Sequence, residues 1–179
     1  MSSGPSQHAA PATPTALTPS QTIGPLYGFA LMFQDSHISA GPEDAEMIHV
    51  EGSVLDGEGR ALTYPDAMIE AWQGRQWVRA RTDQDGMFRF TVRKPQPLRT
   101  GDGRLHAPHL NVAVFAAGLL KQAMTRLYFP DERQANEQDP VLKRLPPQDR
   151  HRLVAQREND VLRFDIHLQG DDAVPFFEF

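Results

Sequence analysis

The chain contains no cysteine, which removes disulfides, thiolate metal sites and thiol catalysis together. It has no apolar run long enough to span a membrane. Its first residues do not place an apolar stretch after a basic start, the pattern that directs secretion. Positive charge is not in excess either. Eighteen Lys and Arg stand against 23 Asp and Glu, for a formal net charge of −5. The two signs are scattered rather than blocked, so neither nucleic acid nor an anionic membrane is the expected partner. A cytoplasmic address is the default expectation. The common catalytic signatures are missing as well. No two of the seven histidines have the i, i+4 spacing of a zinc hydrolase, and neither a Gly-x-Ser-x-Gly elbow nor a phosphate-cradling glycine loop occurs.

Fifteen prolines argue against a mainly helical protein. Residues 1–17 are rich in Ser, Pro, Ala and Thr with almost nothing large to bury, and a flexible tail is expected there. From Met47 onward the dominant pattern has period two. Ile48, Val50 and Val54 alternate with polar neighbours, and Met68 and Trp72 take the face opposite Ile69. Phe88, Phe90 and Val92 repeat the pattern, followed by Leu110, Val112 and Val114. Thr125 to Phe129 reads as another strand, and Leu162, Phe164, Ile166 and Leu168 alternate near the end. Turns such as Asp56-Gly57-Glu58-Gly59 and Asp83-Gln84-Asp85-Gly86 separate these runs. Helix signals are confined to Asp131–Leu145 and Pro147–Gln156, broken by Pro140, Pro146 and Pro147. The expectation is an all-β, two-layer antiparallel sandwich with short helical excursions, forming one domain over residues 18–179.

Without thiols, a metal would need His, Asp, Glu or Tyr. Asp-Gly pairs ordinarily serve turns rather than acid–base chemistry. His109 and Asn111 are more informative, because residues i and i+2 of a strand share a face. Two histidines so placed could grip one metal ion. An amide at the second position is a poor ligand, and taken alone the pair reads better as polar residues satisfied by hydrogen bonds at a sheet face. The three tyrosines, Tyr27, Tyr64 and Tyr128, lie in no ligand context.

A longer series of motifs carries a resemblance. In order they are Thr18 to Pro25, Gly52 to Gly57, Asp66 to Gln73, Arg81 to Asp83 with Gly86, and Lys94-Pro95. Ala107-Pro108-His109, Thr125 to Phe129, Asp139 to Leu142, Arg163 to Gly170 and Phe176 to Phe179 complete the series. Each is weak alone, but their order and spacing together are specific. The chain resembles the intradiol ring-cleavage dioxygenases, and among them the α subunits of the two-chain enzymes.

The resemblance implies a ferric ion held by two tyrosines and two histidines in a homologous catalytic β subunit. It implies no iron in this chain. The family's Lys-Pro-x-Pro-Tyr stretch is Lys94-Pro95-Gln96-Pro97-Leu98 here, so Leu98 stands where a ligand tyrosine would. The first ligand histidine maps to His109, and the second maps to Asn111. The other tyrosine belongs to a loop that is short in this chain, from Gln73 to Trp77, and holds none. The implied reaction of an αβ assembly is cleavage of 3,4-dihydroxybenzoate by dioxygen to 3-carboxy-cis,cis-muconate. In the family a Gln-Thr-x-Gly-Pro segment of the α chain borders the β-chain pocket, which points to Thr22, Gly24 and Pro25. Ala117 departs from the family's Phe-Ala-Arg-Gly, which weakens the case for an acidic substrate. Two other readings stand beside this one: a stand-alone transthyretin-like binding module, and an independent iron dioxygenase with substituted ligands. The terminal Phe176, Phe177 and Phe179 fit a core or a subunit contact equally.

Overall fold

The computed structural model describes residues 30–39 and 46–178. The strands are β1 (Met47–Leu55), β2 (Ala67–Gln73), β3 (Gln76–Arg81), β4 (Met87–Arg93), β5 (Leu98–Arg99) and β6 (Leu105–His106). They continue with β7 (His109–Ala116), β8 (Ala123–Tyr128), β9 (Gln156–Glu158), β10 (Val161–Arg163) and β11 (Ile166–His167). Two short helices, α1 (Arg133–Gln138) and α2 (Pro147–Arg150), and two single 3-10 turns, Leu142–Arg144 and His151–Leu153, fall within the helical stretches expected from sequence. Among the described residues no helix is long and apolar enough to cross a membrane.

The strands form two main layers. One sheet centres on β1, with β4 on one side and β10, β11 and β9 on the other; the second has the order β3-β2-β7-β8. Between them lies the core expected from the period-two pattern. Val50, Val54, Phe88, Phe90, Leu162 and Ile166 of the first sheet meet Ile69, Val78, Leu110, Val112, Val114 and Leu127 of the second, all buried. Burying alternate apolar side chains between two sheets is what holds such a sandwich together.

Pairing is antiparallel in the second sheet and between β1 and β4. The last segment differs from the sequence expectation of one continuous antiparallel strand. It divides into β10 and β11, and both run parallel to β1. Phe164 bridges the division by donating its backbone N–H to Glu51 O at 2.8 Å, while the Asp165 side chain accepts from Ser53 N at 2.8 Å. A side chain thus replaces one ladder bond, and period-two alternation continues across a break that hydrophobicity cannot reveal.

The turns behave as their carboxylates dictate. Asp56 accepts from the backbone N–H groups of Glu58 and Arg60, both at 2.9 Å. Asp83 does the same for Asp85 and Met87, also at 2.9 Å. Gly59 and Gly86 supply the positive φ that closes each turn. These acids are committed to local backbone and to the nearby guanidinium groups of Arg60 and Arg89.

Phe176 and Phe177 are half-buried and pack against the two apolar clusters. Phe177 N donates to Met124 O at 2.8 Å, and Thr125 Oγ1 donates to Pro175 O at 2.8 Å, tying the ending to β8. These two residues therefore pack against the chain's own sheet while still reaching its surface; Phe179 lies outside the described residues.

Candidate functional site

The outer face of the second sheet carries the residues singled out by sequence. Strand register sets them in rows. His109 of β7 sits opposite Tyr128 of β8. In the next row Trp72 of β2, Asn111 of β7 and Arg126 of β8 lie side by side. His109 and Asn111 do share a face, but their surroundings differ sharply.

At the His109 end the chain from α1 to the second 3-10 turn folds over the sheet. Leu142 and Leu153 from this segment bury Tyr128 and Ala107 in a second apolar cluster. His109 is 1% exposed. Its ring lies 5.5 Å from that of Tyr128 and 5.8 Å from that of His106. Nδ1 is 2.7 Å from Ala107 O, so the proton belongs on Nδ1 and the lone pair on Nε2. Nε2 is buried and has no hydrogen-bond partner among the described residues. Burial pulls the His109 pKa down to about 4. The Ala107 hydrogen bond opposes this, and the charge of Arg126 adds to it.

Beneath this end lies a polar hub that sequence reasoning did not identify. Asp139 is fully buried. Its Oδ1 accepts the Tyr128 hydroxyl at 3.0 Å and the backbone N–H groups of Val141 at 2.8 Å and Leu142 at 3.1 Å. Its Oδ2 accepts Ala107 N at 2.9 Å and lies 3.4 Å from His106 Nδ1. The carboxylate therefore starts the first 3-10 turn and pins the helical excursion to the approach of β7. It also raises the pKa of Tyr128, although burial is the larger cause. Tyr128 is thus more than an aromatic filler in a packed strand. An Asp-Pro step ahead of a helical turn was the available signal for Asp139, but not for its reach across the fold.

The neutral, buried His109 makes a testable difference to acid stability. An unfolded chain protonates this imidazole near pH 6.5, whereas the folded chain resists until about pH 4. Between those values only the unfolded state takes up the proton, so stability falls as pH drops through the window, by up to about 3 kcal/mol. Urea midpoints measured near pH 7 and pH 5 should fall less in His109→Gln than in the parent chain.

The positions that the resemblance maps onto the family's iron ligands differ in chemistry and surroundings. Leu98 offers no donor atom and is 38% exposed on β5. Between β2 and β3 the turn is only Gly74-Arg75, with Gly74 at φ +60°, so the hairpin has no tyrosine to contribute. Asn111 replaces an imidazole, and beside it stands Arg126, whose positive charge opposes a trivalent cation. Among the described residues no group of three or more His, Cys, Asp or Glu could hold a metal ion. Only His109 retains a ligand's chemistry. Thr22, Gly24 and Pro25, and the expected tail over residues 1–17, lie outside the described residues. Ala117 is placed just after β7, its N–H donating to Asp66 O at 2.8 Å.

At the Asn111 end the sheet face opens into a cleft of about 1140 Å³. Trp72, Asn111 and Arg126 line it together with Met124, Leu168 and Phe176. Period two places Arg126 and Tyr128 on one face, but only strand register brings them to Asn111 and His109.

Comparisons with known proteins agree with this architecture. The protocatechuate 3,4-dioxygenase alpha chain of Burkholderia cepacia is 36% identical over 194 aligned residues, covering 90% of this chain and 96% of the relative. The protocatechuate 3,4-dioxygenase alpha chain of Pseudomonas putida is 34% identical over 195, with the same coverage. Among solved structures, hydroxyquinol 1,2-dioxygenase from Pseudomonas putida DLL-E4 superposes with a TM-score of 0.57 at 18% identity, over 87% of this chain and 68% of that one. No family model matches the chain.

Proposed function

Because this chain belongs to the family of protocatechuate 3,4-dioxygenase alpha chains, we propose that it is the non-catalytic subunit of such an enzyme, acting through a homologous iron-bearing β chain. The reaction of the assembly is insertion of both atoms of dioxygen into 3,4-dihydroxybenzoate, opening the ring between its two hydroxylated carbons to give 3-carboxy-cis,cis-muconate. The observation that carries this reading is the donor set. One imidazole remains, while leucine, an amide and a tyrosine-free hairpin occupy the other ligand positions, with a guanidinium beside them. Ferric iron in a family member's assembly then belongs to the partner, where two phenolates can neutralise a hard trivalent ion.

The part this chain plays is positional. Thr22, Gly24 and Pro25 border the partner's pocket: a hydroxyl and amide at 22, close main-chain approach at 24, and a fixed path at 25. A larger αβ oligomer in the cytoplasm completes the reading.

Purified alone, the chain should be colourless, prone to aggregate and inactive on 3,4-dihydroxybenzoate. Co-expressed with a homologue bearing both tyrosines and the His-x-His pair, it should yield a coloured complex that consumes dioxygen. Stoichiometric iron and ring cleavage by the isolated chain would reject the proposal. Within the active complex, Thr22→Ala or Gly24→Val should raise KM for the catechol while iron content stays unchanged. Loss of iron instead would assign the segment to assembly rather than to the pocket.

A further inference from the structure

We infer that the cleft beside Asn111 and Arg126 binds an organic carboxylate with an aromatic body, at a site of this chain's own that needs neither iron nor the partner's pocket. Arg126 is the starting point. Its guanidinium makes two side-chain contacts, to Tyr128 Oη at 3.3 Å and His106 Nδ1 at 3.2 Å. Its Nε is buried with no acceptor among the described residues. Among the described residues no carboxylate forms an ion pair with it. Asp139, the nearby acid, already accepts four hydrogen bonds within its own cradle.

A half-buried guanidinium lacking a carboxylate is an unbalanced charge, and its planar N–H edge matches a carboxylate in two parallel bonds. The neighbouring Asn111 adds an amide that can donate to the same anion. Around this polar end stand the indole of Trp72, the thioether of Met124, Leu168 and Phe176, with Lys121 and Glu178 also on the lining, so that two cations face one carboxylate and the cleft keeps a net positive charge. Apolar walls with a few convergent polar groups are the general form of a small-molecule site. Aromatic and sulfur-bearing walls favour a flat ring over an alkyl chain. The same positive charge that repels a metal cation attracts this ligand. Replacing one histidine by Asn111, with Arg126 alongside, turns the site's preference from cation to anion.

2-Naphthoate is a suitable probe, with 2-naphthamide as its neutral isostere. Binding is measured calorimetrically on the full chain, alone or in its assembly, for the parent, Arg126→Gln and Asn111→Asp. Both substitutions lie in this chain, so any difference from the parent isolates the cleft from the partner's iron site. The expected result is that the parent binds the acid, that each variant binds it at least about tenfold more weakly, and that the amide binds feebly to all three. Equal binding of acid and amide, unchanged affinity in the variants, or no binding by the parent would overturn the inference. Thermal melting checks that each variant is folded; should Arg126→Gln fail, Asn111→Asp decides alone, since it adds a repelling charge on the cleft wall. Failure here leaves the subunit reading intact, because that reading stands on iron content and dioxygen consumption.

Discussion

Asp139→Ala is expected to destabilise the chain by about 3–5 kcal/mol, a large part of the roughly 5–15 kcal/mol that holds a domain together. The carboxylate is fully buried and accepts four hydrogen bonds, from Tyr128 Oη and from the backbone N–H groups of Ala107, Val141 and Leu142. Alanine leaves these donors facing a dry interior, and an unsatisfied buried donor costs about 1–3 kcal/mol. Local collapse and entering water offset part of that sum. Two milder variants separate the contributions. Tyr128→Phe removes one donor together with its bond and should cost about 1–2 kcal/mol. Asp139→Asn keeps one carbonyl but turns an NH2 toward Ala107 N–H, so its effect should lie between the other two. Urea denaturation reads all three; a fall in midpoint at unchanged slope assigns the effect to the folded state. An Asp139→Ala loss below that of Tyr128→Phe would mean the hub is not structural.

The position of this hub explains what sequence could and could not disclose. The sandwich was legible because alternating side chains such as Phe88, Phe90 and Val92 report burial directly, and Asp83 through Gly86 announces its turn. The side chains at the positions mapped by resemblance were legible too, since Leu98, Asn111 and the short Gln73–Trp77 link are identities and lengths, which need no coordinates. Contacts set by register were not. Nothing local to Arg126 places it beside Asn111, and nothing local to Asp139 places it beneath Ala107, 32 residues earlier. Parallel pairing of β10 and β11 with β1 was hidden for the same reason, because partner choice is made by tertiary packing rather than by the strand's own pattern.

The two ends of the outer sheet face therefore retain different things. At His109 the helical excursion closes over the imidazole and keeps it neutral, with Nε2 buried and unbonded among the described residues. At Asn111 the wall is open and the local charge is positive. The fold is held by apolar packing and the Asp139 bonds, neither of which depends on a metal.

Gly52→Ala should be at least as damaging as the loss of Asp139, by a wholly different route. Gly52 lies in the middle of β1, paired with Phe88 of β4 on one side. On its other side the chain crosses between β10 and β11. A methyl group built at Gly52 would collide with the carbonyl oxygen of Phe164 and stand 2.6 Å from its carbonyl carbon and 2.8 Å from Phe88 Cζ. Two of these neighbours are backbone atoms and cannot rotate away. Relief requires moving Phe164, whose N–H holds Glu51 O at 2.8 Å, and with it the bond from Ser53 N to Asp165. Both parallel pairings of β1 depend on that crossing. Overpacking a well-filled core ordinarily costs about 1–3 kcal/mol, and displacing backbone shared by two strands should exceed that range. By contrast, Gly101→Ala serves as a control, because a methyl group there meets nothing within 4 Å among the described residues. Soluble yield and urea midpoint measured side by side should show the control near the parent and Gly52→Ala unfolded or strongly shifted. A Gly52→Ala chain as stable as the control would mean that β10 and β11 do not cross β1 at this residue.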